Sequence, residues 1–333
     1  MAAMSAHPLL PYALLTPDTV LDALDNIGLR TDGRLLALNS YENRVFQVGQ
    51  EEGAPVVAKF YRPERWSDAA ILEEHAFTLD LASREIPVVA PLILSDQTSL
   101  HTHLGFRFAV YPRHGGRMPE FDRSETLEWM GRFIGRIHAV GELQPYVHRP
   151  TLDIASFGDE PRAFLLHGNW LPPDLLAAWK SVTEQALEAV QACFQRAGKI
   201  KHLRLHGDCH AGNVLWTDAG PHFVDFDDSR MGPAVQDLWM LLSGDRASMS
   251  RQLADVLAGY EDFCEFDTRE LYLLEALRTL RLIHYSAWIA RRWHDPAFPA
   301  AFPWFNTQHY WQDRILELRE QIALMQEEPL WPV

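Results

Sequence analysis

Two short apolar runs, each ending in acidic residues, constrain this chain more than anything else in it. The first is LRLHGDCHAGNVLW, residues 203–216, and the second is HFVDFDD, residues 222–228. Each reads as a strand that delivers a carboxylate at its end. Asp208 precedes Asn213 by five positions, enough loop to set a carboxylate against a substrate hydroxyl while an amide oxygen turns back toward a metal. Asp225 follows Phe223 and Val224, at a strand end suited to a carboxylate that holds a hard cation. One base, one amide ligand and one carboxylate ligand make a phosphoryl-transfer set.

Composition narrows the field around that set. At about 150 residues per domain, a chain of 333 residues predicts two domains and a sizeable core. Thirty Lys and Arg against 45 Asp and Glu leave a formal charge of −15, which repels a phosphate backbone and makes nucleic acid a poor partner. ATP would need a local cationic residue and a metal. The three cysteines, Cys193, Cys209 and Cys264, are too few and too scattered for a disulfide framework or a cysteine zinc site. The start, MAAMSAHPLLPYALLTPD, lacks the basic region and apolar stretch of a signal peptide, and no run of about 20 apolar residues occurs anywhere. A cytoplasmic monomer with no membrane insertion is expected.

Thr16, Pro17 and Asp18 open an amphipathic stretch that runs through Ile27 and stops at Gly28, the pattern of a capped helix. Residues 34–38, 45–48 and 56–61 read as strands, the last two as an antiparallel hairpin across GQEEGAP. Residues 67–82 have helical spacing, and after Pro87 strand character returns at 88–94, 99–103 and 106–111. Beyond YPRHGGR, residues 111–117, the pattern turns helical over 124–140, 175–197, 247–263 and 268–293, with Ser124 and Thr268 as expected caps. The expected fold is α+β and bilobal: a small antiparallel-sheet lobe over 1–112 and a larger, mainly helical lobe over 113–333. Residues 296–303 read as an ordered aromatic loop.

His206-Gly207-Asp208, then Asn213, then Asp225 resembles the H-x-D-x-x-x-x-N catalytic loop and the metal-binding Asp of the protein-kinase-like superfamily, in its aminoglycoside phosphotransferase and choline kinase branch. The resemblance implies that Asp208 is the catalytic base and that Asn213 and Asp225 hold Mg2+, Asp225 being catalytic as well. It also implies that His206 braces the loop and that Asp237, in AVQDLWMLL, fastens the loop's backbone from a helix. Lys59, in VVAKFY, falls where the superfamily keeps the lysine that holds the α and β phosphates of ATP. The helix after it carries Glu73 and Glu74, either of which suits a partner for that lysine, and the resemblance favours Glu74, whose spacing onward to Leu81 and Pro87 better matches the family pattern. Residues 39–44, NSYENR, occupy the turn where protein kinases have a glycine-rich loop, and they contain no glycine. Phosphate contacts there are expected from backbone amides and from Ser40 or Asn43, with ATP near 111–113. LNSYENRV, KFYRPERW, LRLHGDCHAGN and GPAVQDLWMLL narrow the resemblance to the stress response kinase A family of bacteria, over about residues 18–329. That family implies an ATP- and Mg2+-dependent kinase acting on Ser and Thr of proteins, itself included, and linked to envelope or oxidative stress.

Other readings of the same residues weigh less. His206, Asp208 and His210 offer N and O ligands to zinc, yet no further His cluster completes such a site. Cys209 beside Asp208 invites a redox switch, but a reactive thiol needs an electropositive setting and Asp208 supplies the opposite. The aromatic stretch 288–311 reads as core or substrate-site wall rather than a base-stacking surface, and Arg291-Arg292 as surface. The alternative function keeps the fold and takes a small alcohol as acceptor, an amino alcohol, a sugar or an aminoglycoside. A nucleotide-binding module without turnover is a third reading, and the intact Asp208, Asn213 and Asp225 set counts against it. Seven residues separate Asp225 from Pro233, so no activation segment and no phosphorylation switch is expected there.

Overall fold

The computed structural model describes residues 10–333, and residues 1–9, part of the start read above for targeting signals, lie outside the described residues. The chain divides into two compact units that interleave in sequence, where a single boundary after residue 112 was expected. One unit holds the chain up to His75 with Val89–His114 and Arg292–Pro303, and the other holds Ala76–Val88, Gly115–Arg291 and Trp304–Val333.

In the first unit, α1 (Pro17–Asn26) begins at Thr16, whose hydroxyl accepts the N–H of Thr19 at 3.2 Å. Pro17 sits in the first turn, where its missing N–H costs nothing. The helix stops at Gly28, φ 87°, where the N–H of Leu29 bonds the Leu24 carbonyl and that of Gly28 the Asp25 carbonyl. The positive φ of this closure favours glycine. Strands β1 (Thr31–Ala37), β2 (Arg44–Gln50) and β3 (Val56–Phe60) precede α2 (Asp68–Ser83), which belongs to this unit as far as His75, and β4 (His101–His103) and β5 (Phe106–Pro112) follow it. They form one antiparallel sheet in the order β1-β2-β3-β5-β4. Residues 88–94 are not a strand: Pro91 removes a donor from the middle of the run, and Leu92 bonds Val110 singly at 2.7 Å.

Strand parity places the lysine. Val56, Ala58 and Phe60 pack with Val20, Ala23, Leu24, Phe108 and Val110, a core in which each large side chain contributes about 1.5–3 kcal/mol. Lys59 therefore faces the other way, the side on which Ile71 of α2 packs with Tyr61 and Ala109.

The second unit contains α3 (Ser124–Gly141), α4 (Glu160–His167), α5 (Leu176–Ala197), β6 (Leu203–Arg204), β7 (Val214–Thr217), β8 (Gly220–Phe223), β9 (Met231–Gly232), α6 (Val235–Leu238), α7 (Arg246–Tyr260) and α8 (Leu274–Arg291). A short helix, α9 (Ala297–Ala301), belongs to the first unit and lies where a loop was expected, and α10 (Gln308–Gln326) returns to the second. Two expected caps are displaced. Arg123 holds the N-cap position of α3, leaving Ser124 inside the first turn. Ahead of α8, Thr268 starts a 3-10 stretch, and the Asp267 carboxylate caps it by accepting the N–H of Arg269 at 3.0 Å, a charged acceptor displacing a hydroxyl.

Helices α3 and α7 touch backbone to backbone. A Cβ on Gly131 would stand 2.0 Å from the Val256 carbonyl oxygen, and one on Gly259 2.0 Å from that of Glu128. This approach brings His138 of α3 against Tyr260 of α7, the first link in the support of the site. Trp311, at the end of the aromatic stretch, is fully buried edge-on to Trp179, ring centroids 5.1 Å apart. Among the described residues no helix is long and apolar enough to cross a membrane.

Candidate active site

The two sequence runs supply β6, β7 and the end of β8, which pair antiparallel as β6 with β9 and β7 with β8 in two small two-stranded sheets, and the chemistry sits on the loops that leave β6 and β8. Gly207, φ 89°, turns the first loop, and a Cβ there would meet the Asp228 carbonyl oxygen at 2.2 Å, so conformation and space both demand glycine. Asp237 of α6 accepts the backbone N–H of His206 at 2.7 Å and of Gly207 at 2.8 Å. Its Oδ2 also lies 3.0 Å from Nε2 of His138, whose Nδ1 is 3.0 Å from the Tyr260 hydroxyl. His138 and Asp237 are buried. His206 spends both ring nitrogens inside the loops, Nε2 on the Val224 carbonyl at 2.9 Å and Nδ1 on the N–H of Asp208 at 3.3 Å. Neither nitrogen is left for zinc.

Asp208 and Asn213 come together. The Asn213 amide donates from Nδ2 to the Asp208 carbonyl at 2.9 Å and lies 3.5 Å from Oδ2 of the carboxylate, which leaves the amide oxygen on the side away from Asp208. The other carboxylate oxygen, Oδ1, is 2.8 Å from Nη1 of Arg281 on α8, and His210 Nε2 is 3.4 Å from Oδ2. His210 Nδ1 accepts the N–H of Gly212 at 3.0 Å, so the ring proton points at Asp208. Burial pushes the Asp208 carboxyl up, but the His210 hydrogen bond and the Arg281 charge outweigh it, against Asp228, and hold it below the usual carboxylate range.

Asp225 follows β8 by two residues, and the N–H of Val224 donates to the Asn213 carbonyl at 3.0 Å, so the backbones of the two loops run together beside Asp225. Asp225 is exposed and left-handed, φ 60° and ψ 62°, a conformation that costs a non-glycine residue about 1–3 kcal/mol and collects at functional sites. An amide oxygen and an exposed carboxylate on adjacent loops are a hard-oxygen donor set, which fits Mg2+. The short link that follows is tied down: Arg149 donates to the carbonyls of Asp227 and Ser229, both at 2.8 Å, and Ser229 Oγ donates to the Leu205 carbonyl at 2.6 Å.

Lys59, Glu74 and Ser40 belong to the first unit. Lys59 is 6% exposed and its Nζ lies 5.4 Å from the Tyr61 ring centroid. Glu74 is 2% exposed on the same turn of α2 as Ile71, whereas Glu73 is half-exposed. Ser40 accepts the N–H of Val45 at 3.2 Å, and Asn43 that of Arg62 at 3.0 Å. Cys209 is 1% exposed, and burial, with Asp237 and Asp208 adding to it, pushes its thiol well up, which keeps it protonated and unreactive.

Sequence reasoning missed His138 and Arg281 and gave His210 only a zinc role. His138 carried a signal, a polar residue on a helix face otherwise made of Met130, Ile134 and Ile137. Arg281 carried none.

A buried acid supports α6. Glu270 accepts the N–H of Val235 at 2.8 Å, and burial raises its pKa to about 8 from 4.5 in spite of that bond. Between those values the folded chain keeps a proton that the unfolded chain has lost, so this contribution to stability is full below pH 4.5 and disappears as pH rises through 8. Glu270→Gln should therefore gain on the wild type, by on the order of a few degrees in melting temperature, between pH 6 and pH 9 in parallel thermal scans. A constant difference across that range would contradict it.

Residues 34–274 match the phosphotransferase enzyme family, APH. The chain is 49% identical over 319 residues to stress response kinase A of Escherichia coli strain K12, covering 96% of each, and 46% identical over the same length to the serine/threonine protein kinase RdoA of Salmonella typhimurium. It belongs to the APH phosphotransferase enzyme family and, within it, to the stress response kinase A family. Among solved structures, an amicoumacin kinase in complex with AMP-PNP, Ca2+ and Ami matches with a TM-score of 0.72 at 19% identity, covering 95% of both chains. A microcompartment-associated aminopropanol kinase matches with a TM-score of 0.70 at 17% identity, covering 93% of this chain and 96% of that one. The fold is thus the α+β, kinase-like fold expected from the sequence.

Proposed function

We propose that this protein is an ATP- and Mg2+-dependent kinase that phosphorylates Ser and Thr of proteins, itself included, in a bacterial stress response in the cytoplasm. The observation that carries the chemistry is a single loop, held by Asp237, that ties the Asn213 amide to the Asp208 backbone carbonyl and so sets it beside the Asp208 carboxylate. Relatives at 46–49% identity named as stress response or serine/threonine kinases support the acceptor.

In this reading Asp208 accepts the proton of the acceptor hydroxyl as its oxygen attacks the γ-phosphorus, and the bond to the bridging oxygen of ADP breaks. Asn213 and Asp225 hold Mg2+, which when bound neutralises phosphate charge. Lys59, paired with Glu74, holds the α and β phosphates, and the turn bearing Ser40 covers them.

The second reading is a small alcohol as acceptor, favoured by the amicoumacin and aminopropanol kinases that share the fold. Incubation with γ-labelled ATP and Mg2+, alone, with casein and with a panel of amino alcohols, sugars and aminoglycosides, separates them. Label on Ser or Thr of casein and of the chain itself is expected. Label confined to a small alcohol would overturn the protein acceptor.

A further inference from the structure

The turn between β1 and β2 is glycine-free, and its side chains are spent on its own shape, Ser40 on Val45 and Asn43 on Arg62. The backbone N–H groups of Asn39, Ser40 and Tyr41 donate to no protein acceptor among the described residues, and consecutive free N–H groups in a tight turn attract anions.

A segment some 250 positions downstream closes on this turn. Asp295, 2% exposed, accepts from Arg44 Nη2 at 3.0 and 3.2 Å and from Arg62 Nη1 at 2.9 Å. Arg292 stands 2.5 Å from Glu42 of the turn. Phe302 meets the Tyr41 ring at 5.0 Å, and the Arg62 guanidinium lies 5.7 Å from the Phe298 centroid. All of these residues lie within the first unit.

We propose that residues 292–303 are a positioning strap for the nucleotide turn, and that Asp295 is its anchor, holding the free N–H groups of residues 39–41 ready for the phosphates of ATP. The inference rests on reading that turn as the nucleotide loop. A glycine-rich loop must be ordered when nucleotide arrives, at a cost in conformational entropy. Here charge-assisted bonds from two guanidiniums to one buried carboxylate order the turn beforehand, which accounts for the absence of glycine. Asp295 is a positioning residue, so its loss should be felt in nucleotide affinity more than in turnover.

The test uses the full chain with Mg2+, calorimetry with AMP-PNP and steady-state kinetics in ATP, on Asp295→Asn, Asp295→Glu and Phe302→Ala, with Asp208→Asn alongside. Asp295→Asn should raise the AMP-PNP Kd and the KM for ATP about tenfold while kcat at saturating ATP stays within about threefold, and Asp295→Glu should recover part of the loss. Phe302→Ala should move the same quantities less, and it carries the test if Asp295→Asn does not fold. If Asp208→Asn is inactive while both strap variants bind AMP-PNP as tightly as wild type, the strap is overturned and the site stands. Lower kcat and melting temperature with unchanged KM would also overturn it. If the unaltered chain does not bind AMP-PNP, the nucleotide reading itself falls, and the strap with it.

Discussion

Asp208→Asn should leave a folded chain that binds AMP-PNP and transfers phosphate about 10²–10⁴-fold more slowly, the range for losing a positioned general base. The substitution keeps the shape of the side chain and removes its charge. Asp208 is 21% exposed, and its backbone carbonyl, which holds Asn213, is untouched. Its partners Arg281 and His210 are 37% and 43% exposed, so neither is stranded in a dry interior. A partly exposed ion pair of this kind is worth about 1 kcal/mol, and melting temperature should move by about 2–4 °C or less. The measurement is a single-turnover transfer of γ-label beside a thermal melt. Transfer at the wild-type rate would remove Asp208 from the chemistry. Loss of transfer accompanied by loss of AMP-PNP binding would instead make it part of the nucleotide site.

What was legible beforehand follows the range of the interactions. Thr16 and Gly28 bracket α1 because a cap and a stop act within a turn of their helix, and the parity of β3 follows from a period of two. The loop at residues 206–213 was legible for the same reason, since base, amide and glycine lie within eight consecutive positions. The contacts that support the site are of another kind. His138 reaches Asp237 across 99 positions and Arg44 reaches Asp295 across 251, and no local pattern encodes a pairing at that separation. Arg292 shows the cost of reading locally: beside Arg291 it looked like surface, yet it pairs with Glu42. Residues 88–94 failed in the opposite sense, because their apolar character is that of a strand while Pro91 denies them a ladder.

Asp237→Ala should be the most damaging single change outside the catalytic loop. The carboxylate accepts two backbone N–H groups and faces His138 in a place where the side chains of both residues are at most 1% exposed. Removing it strands the amides of His206 and Gly207 and the ring of His138, and each buried unsatisfied donor costs about 1–3 kcal/mol. A loss of about 3–5 kcal/mol is expected from three such groups left without their acceptor, together with a fall in kcat because Asp208 is two residues from the first of the freed amides. His138→Phe keeps the ring volume and leaves Asp237 its two amide donors, so it should cost less. The double variant should then lose less than the sum of the two, with a coupling of about 0.5–3 kcal/mol, because the carboxylate that a phenyl ring cannot satisfy is already gone. Denaturant titrations of the three variants give that coupling directly. Strict additivity, or an Asp237→Ala chain as stable as wild type, would mean that the catalytic loop keeps its shape without the carboxylate beneath it.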